Sequence, residues 1–366
     1  MITLGINISH DASSCIVKDG KVIYFCEEER LAKIKHYEFS QENTKFYGIS
    51  KLQKYGITKV DRLVFASFRR DYDIKDLNII EEIKKQLHEA NIEVGKVVYN
   101  AENHHIYHAS NAFFASGFKE AAALVMDGSG AHTNKYIDHK EIESIYKFEP
   151  KGIATIYKHY SDNWYLINND FKYFKESIPN EALYSNAASC GKLFADWCMT
   201  IGLLEGNEAG KYMGLASYGT LTDKDNWIDL IEGNPVFNKT CIDKLKIYRA
   251  LNINNIKLDL NIDSEEFKIC ANNAKKVQEE TKKYTIHLIK KALEKANTNN
   301  IVLSGGYFLN CVNNYEYIKS FPNINFYIDP MAYDGGTALG AALLDYRIIN
   351  GPTAEIEPIK NLYLGG

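Results

Sequence analysis

Two histidines four residues apart, His104 and His108, sit in the run HHIYHASNAFFASGF, whose pattern is helical. Residues i and i+4 lie on one helix face, so both imidazoles can aim at one point. The strand-like run AAALVM follows and ends in Asp127-Gly-Ser-Gly, a carboxylate on a turn. Two imidazoles and a carboxylate, with room for more ligands, suit iron(II), manganese or zinc. The pair is no zinc-protease helix, because His105 stands where that motif needs its glutamate. The same spacing also belongs to any amphipathic helix with one polar stripe, so the surroundings of the pair decide.

Further polar turns punctuate the chain. The run ITLGINIS leads into His10-Asp11-Ala12-Ser13, then SSCIVKDGKVIYFCEEE predicts a hairpin turning at Asp19-Gly20. Loop N–H groups there, with the hydroxyls of Ser13 and Ser14, could frame a phosphate; a plain solvated turn reads equally well. EEERLAKIKH (27–36) is either a solvated face or a cleft wall offering Arg30 and Lys35 to an anion. In EGNEAGKYMGLASYG (205–219), read as a Gly-rich loop, Lys211 lies among Gly210, Gly214 and Gly219 and could reach a phosphate, but without Walker spacing. Later, NNIVLSGGYFLNCVNN predicts a buried strand, a Gly305-Gly306 turn and a helix start carrying Asn310 and Asn313, a fitting nucleotide cradle. Near the end, a strand, Asp334-Gly335-Gly336 on a turn and a small-residue helix repeat the theme, and the Ala/Gly alternation predicts close packing.

The elements that carry these residues follow α/β order. From residue 58 come strand VDRLVFASF, helix DLNIIEEIKKQLHEA, strand EVGKVVYN and the histidine helix. At Ala121 a second strand, loop and hairpin repeat the order of residues 2–26. Two lobes opening in this way are how the actin, Hsp70 and sugar-kinase superfamily clamps a nucleotide. The expected fold is therefore two actin/Hsp70-like lobes, 1–118 and 119–336, with a nucleotide and metal cleft between them and residues 337–366 returning to the first lobe. Peripheral inserts are expected near 149–183 and 222–265. The first is aromatic-rich, and Tyr157, Tyr160, Trp164 and Tyr165 could form an acceptor wall, although such density is more often core. Residues 182–203 read as one helix, and a long helix is expected from Ser264 to about Ala296.

Composition narrows the function. A chain of 366 residues favours two lobes over one core. A formal charge of −4 argues against direct nucleic-acid binding. No apolar run approaches the roughly 20 residues that span a bilayer, and MITLGINISHDAS lacks the regions of a signal peptide. The seven cysteines, with no C-x-x-C pair, read as buried thiols of a cytoplasmic protein.

Taken together, GINISHDASSCIVKDGKV, EEERLAKIKH, HHIYHASNAFFASGF, VMDGSG, GKYMGLASYG, LSGGYFLNCVNN and DGGTALGAAL resemble the N-terminal part of the O-carbamoyltransferases of the nodulation and antibiotic-tailoring type. That part is similar to the Kae1 protein of tRNA threonylcarbamoylation, in the actin-like ATPase superfamily. The resemblance implies that His10 is the general base on an acceptor hydroxyl, a task suited to an imidazole. It implies His104, His108, Asp127 and Asp334 as ligands of iron(II) or another divalent transition metal. Lys211, Gly305, Gly306 and Asn310 fall where the family meets the ATP or AMP moiety of a carbamoyl-adenylate, and Ser13, Gly128, Ser129, Gly214 and Gly335 are expected to bind the same nucleotide.

In full-length members a sequence like NLYLGG (361–366) is followed by a YrdC-like half that makes carbamoyl-adenylate. This sequence ends at Gly366, so the expectation is a piece of a longer protein or a donor made by a separate YrdC-like partner. The expected activity is carbamoyl transfer to a hydroxyl or amine of a small-molecule natural product, in a cytoplasmic protein that could form a homodimer. Two alternatives stand beside it. One is an ATP-dependent phosphotransferase or ATPase of the superfamily, with Asp127 or Asp11 as base and Mg²⁺, to which paired histidines are poorly suited. The other is a non-catalytic nucleotide-binding subunit.

Overall fold

The computed structural model describes residues 1–40, 43–67, 78–133, 139–162, 176–178, 182–203, 208–253, 261–361 and 364. Strands β1 (Ile2–Asn7), β2 (Ser13–Lys18) and β3 (Lys21–Glu27) form an antiparallel meander turning at Asp19-Gly20. Short helices α1 (Glu28–Ala32) and α2 (Ile49–Leu52) precede β4 (Lys59–Ala66), α3 (Ile79–Glu89) and β5 (Glu93–Tyr99). β4 and β5 continue the sheet in parallel from β1, giving the order β3-β2-β1-β4-β5.

After helix α4 (His104–Ser116) the plan repeats. β6 (Ala121–Met126), β7 (Lys140–Glu149) and β8 (Gly152–Ser161) make the second meander. β13 (Asn300–Ser304) and β14 (Asn325–Ile328) then add in parallel beside β6. β9 (Glu176–Ile178) and β10 (Ala182–Ser185) extend the far edge, and β11 (Ile228–Ile231) with β12 (Asn234–Phe237) forms a separate hairpin. The second sheet thus reads β8-β7-β6-β13-β14 where the first reads β3-β2-β1-β4-β5. The repeat expected from the order of elements is present.

The remaining helices are α5 (Cys190–Met199), α6 (Ala209–Leu215), α7 (Lys239–Ile253), α8 (Glu265–Ala296), α9 (Cys311–Ser320) and α10 (Thr337–Asn350). α8 begins where expected because the Ser264 hydroxyl accepts from Phe267 N at 3.1 Å and caps the first turn. Three expectations need correction. Residues 182–203 are not one helix: β10 comes first, and Ser189 caps α5 by accepting from Lys192 N. The stretch around Lys211 is helical, so Gly210 and Gly214 lie on α6 rather than on a loop. Within the peripheral insert expected near 222–265, residues 227–245 join the core, because Trp227, Val236, Phe237, Cys241, Ile242 and Leu245 are buried in the largest apolar cluster.

Three apolar layers hold the molecule together. Period-two alternation in β1 sends Leu4 and Ile6 outward against α3, while Gly5 faces inward. In β6, Ala122, Leu124 and Met126 face the α8 side, and Ala121, Ala123 and Val125 face the middle, so AAALVM is apolar throughout. α4 and α10 fill the middle layer between the two sheets. There the small residues matter: a Cβ on Gly5 would stand 2.1 Å from the Ala338 carbonyl oxygen, and one on Gly340 only 1.8 Å from that of Tyr107. The Ala/Gly alternation of α10 therefore marks close backbone approach, as expected. Arg62 on β4 grips Asp345 of α10 with two N–H donors, one at 2.7 Å.

A fully buried chain of three side chains ties strands of the second sheet. Glu143 Oε2 lies 3.1 Å from His159 Nδ1, and His159 Nε2 lies 2.7 Å from Ser185 Oγ, joining β7, β8 and β10.

Candidate metal centre

Each residue of the centre is set by the element that ends or begins beside it. α4 carries His104 and His108 on one face, and Gly117, at φ 73°, stops it. Asp127 follows the last residue of β6. Its Oδ1 accepts from the N–H groups of Gly128 (2.8 Å) and Gly306 (3.3 Å), leaving Oδ2 toward the histidines. Asp334 opens the turn Asp334–Gly336 before α10. Its carbonyl accepts from Thr337 Oγ1 (2.6 Å) and Asn7 Nδ2 (3.1 Å), and its Oδ2 from Ser9 Oγ (2.9 Å).

The ligand atoms of His104, His108, Asp127 and Asp334 all lie within 4.8 Å of one another. The two Nε2 atoms are 3.2 Å apart, and His104 Nε2 is 3.2 Å from Asp127 Oδ2 and 3.5 Å from Asp334 Oδ1. His108 Nε2 is 3.9 Å and 3.4 Å from the same two oxygens. Bonds of ~2.1 Å to one ion would set neighbouring ligand atoms ~3.0–3.4 Å apart, depending on geometry. Three of the edges fall in that span, the His104–Asp334 edge is 3.5 Å and the His108–Asp127 edge is 3.9 Å, and two nitrogens with two oxygens suit a divalent transition metal better than Mg²⁺.

Charge within the cluster is balanced internally. Burial opposes a charge on His104, but the Asp334 and Asp127 carboxylates outweigh it and push its pKa up to about 9. Burial also works against an ionised Asp127, yet its hydrogen bond to His104 and the imidazoles bring it down to about 2. Asp334 is likewise held well below the usual carboxylate range against its burial, with His10, His104 and His108 as the compensating groups.

His10 borders the cluster, with Nδ1 3.7 Å from Asp334 Oδ2 and Nε2 3.9 Å from Asp11 Oδ2; its side chain is 54% exposed. Asp334 raises its pKa most, burial opposes this and Asp11 adds to it. Ser13 Oγ donates to the Gly335 carbonyl at 2.6 Å, tying the first turn to the last. Gly305 needs its φ of +97°, and a Cβ there would also stand 2.2 Å from the Met126 carbonyl oxygen. His105 points away, with Nδ1 2.8 Å from Ser144 Oγ, and burial lowers its pKa strongly.

Lys211 is exposed on α6 and pairs with Glu208. Asn310 caps α9 and exchanges two amide hydrogen bonds with Gln278 of α8, at 2.8 and 3.0 Å. Gly214 offers its carbonyl to Ser217, and Ser129 follows Gly128 on the Asp127 turn. Arg30 turns back to Glu27 and Glu29 rather than to a cleft, and Lys35 is exposed. Tyr157 belongs to the core, Tyr160 stacks on Tyr184, and Trp164 and Tyr165 lie outside the described residues. Cys311 is exposed, unlike the buried thiols expected.

Several supporting residues escaped the sequence reading. Asn7 donates to the carbonyls of His10, Asp11 and Asp334, closing the first turn onto the last. Asn111 donates to Asp329 Oδ2 at 2.6 Å. It follows His108 by three residues, so the face shared with the histidines was the available signal.

Two sheets of one strand order, with polar turns of both meeting at a buried cluster, define the two-lobed actin-like ATPase fold. In the solved structures, full-length HypF in its phosphate- and nucleotide-bound form aligns at TM-score 0.58 and 16% identity, over 97% of this chain and 56% of that one. HypF of T. kodakarensis aligns at 0.58 and 13%, over 96% and 48%. The carbamoyltransferase N-terminus family model matches residues 70–343, and the chain belongs to that family. The nodulation protein NolNO of Sinorhizobium fredii is 21% identical over 377 residues, covering 97% of this chain and 49% of that protein. An uncharacterised protein of Methanocaldococcus jannaschii is 25% identical over 376 residues, covering 99% and 60%. The chain spans about half the length of the curated relatives it matches. No helix among the described residues is long and apolar enough to cross a membrane.

Proposed function

We propose that the protein transfers a carbamoyl group from a carbamoyl-adenylate to a hydroxyl or amine of a small-molecule acceptor, with a YrdC-like activity supplying the donor. The observation that carries the reading is the half-exposed His10 beside two buried imidazoles, the buried Asp334 carboxylate and the partly buried Asp127 carboxylate. In this reading residues 1–118 and 119–336 are the lobes, and 337–366 returns to the first. His104, His108, Asp127 and Asp334 hold iron(II) or a similar ion, which would bind the donor phosphate and neutralise charge on departing AMP. The N–H groups of Gly128 and Gly306 orient Asp127, and the turns at Ser13, Ser129, Gly305 and Gly335 border the nucleotide. His10 takes the acceptor's proton as general base.

Metal analysis of anaerobically purified protein tests the centre. About one iron per chain is expected, lost in His104→Ala/His108→Ala. His10→Ala should keep the iron and lose transfer; full transfer in that variant would refute the role of His10, and no bound transition metal in the wild type would refute the centre.

A further inference from the structure

A second constellation adjoins His10 through Asp11. Asp11 Oδ1 meets His36 Nδ1 at 2.7 Å, and the His36 backbone N–H donates to Glu29 Oε2 at 3.1 Å. Both partners hold left-handed backbones without being glycine, Asp11 at φ 57° and His36 at φ 55°. Such residues cost energy and persist where neighbouring structure over-determines them, often at functional sites. Here the clamps are visible. Ala12 N donates to the Tyr37 carbonyl (2.9 Å), Glu28 N to that of Ala12 (2.8 Å), and Asn7 Nδ2 to that of Asp11 (3.2 Å).

The contact uses one Asp11 oxygen and leaves the other toward His10 Nε2, 3.9 Å away. That is beyond a hydrogen bond, yet within reach of a small turn of a half-exposed ring. We infer that Asp11 is a positioning residue for His10, accepting Nε2–H and so fixing the orientation of the ring, and that His36 holds Asp11 for this task. An aspartate that fixes the tautomer and orientation of a basic histidine is a general device of proton-transfer sites. The inference rests on His10 being the base.

The test uses the full chain with ¹³C-labelled histidine rings, His10 being assigned by its loss in His10→Gln. Ring order by ¹³C relaxation should be high in the wild type and fall in Asp11→Ala and His36→Phe, with the iron content unchanged. His36→Gln, which keeps a donor, should restore it. With carbamoyl-adenylate supplied, kcat should fall at least ~10-fold in Asp11→Ala while the donor KM holds. Unchanged order of the His10 ring in both folded variants would overturn the inference. So would a second metal per chain lost with Asp11, because Asp11, Glu29 and His36 would then be ligands. If the base reading itself fails, His10→Ala keeps its transfer activity while the ring-order result stands, so the two failures are distinguishable.

Discussion

Replacing Gly340 by alanine tests whether the middle layer positions the metal centre. In an open helix the change should stabilise by ~1 kcal/mol, since alanine is the better helix former. Here the new Cβ would stand 1.8 Å from the Tyr107 carbonyl oxygen, where ordinary contacts begin at 3.4 Å. α4 and α10 must therefore part by about 1.5 Å, because a backbone atom has no rotamer to yield. Overpacking of this kind costs ~3 kcal/mol at the upper end of its usual range, so the net expectation is a loss of ~2 kcal/mol. Tyr107 lies between His104 and His108, the proposed ligands, and Gly340 six residues after Asp334, so the shift also spoils the proposed ligand geometry, which tolerates ~0.2 Å. Iron(II) affinity should fall ~10–100-fold. Gly214→Ala is the control, a helical glycine with nothing within 4 Å of its Cβ position. It should gain ~0.5–1 kcal/mol and leave iron binding alone. Urea unfolding and a competitive iron titration read both effects. A Gly340→Ala protein as stable as wild type, with unchanged iron affinity, would refute the argument.

Two further outcomes follow from buried carboxylates. Burial raises the pKa of Glu28 from 4.5 to about 8, against the N–H donors of Gly48 and Tyr47. The folded state therefore holds this proton more tightly than the unfolded chain, so the contribution is full below pH 4.5 and lost as pH rises to about 8. Unfolding midpoints at pH 5 and pH 8.5 should differ less in Glu28→Gln than in wild type. Asp329 accepts from Asn111 (2.6 Å), Ser304 (3.1 Å) and Met331 N (2.9 Å), so Asp329→Ala strands three buried donors and should cost ~2–4 kcal/mol in urea unfolding.

Much of this architecture was legible in the sequence because local chemistry set it. Asp19-Gly20, the Ser264 cap and the spacing of His104 and His108 each act within a few residues. What escaped depends on distant partners. Residues 222–265 look polar in sequence, yet Trp227 and Phe237 are buried in one cluster with α8 residues, and Phe237 stacks on Tyr284. Gln278, 32 residues before Asn310, exchanges amide hydrogen bonds with it, a contact that no local pattern announces. Lys211 read as a loop lysine because Gly210, Gly214 and Gly219 nearby suggested a loop, whereas packing against α8 keeps that stretch helical. Asp11 and His36 lie 25 residues apart, and only the folded loop brings them to 2.7 Å.

The repeated strand order also bears on whether the two halves could live apart. Each sheet packs an apolar cluster of its own on its outer face, but the middle layer is common property. A fragment ending at residue 118 would bare Ala109, Ala112 and Phe113 of α4, which the second sheet covers in the whole chain. The complementary fragment would bare Ala123, Val125 and Val302, and α10 would have lost Gly5 and Tyr107 to lie against. Duplicated halves would therefore not have stayed autonomous: with its central layer pooled, neither fragment keeps a complete interior of its own.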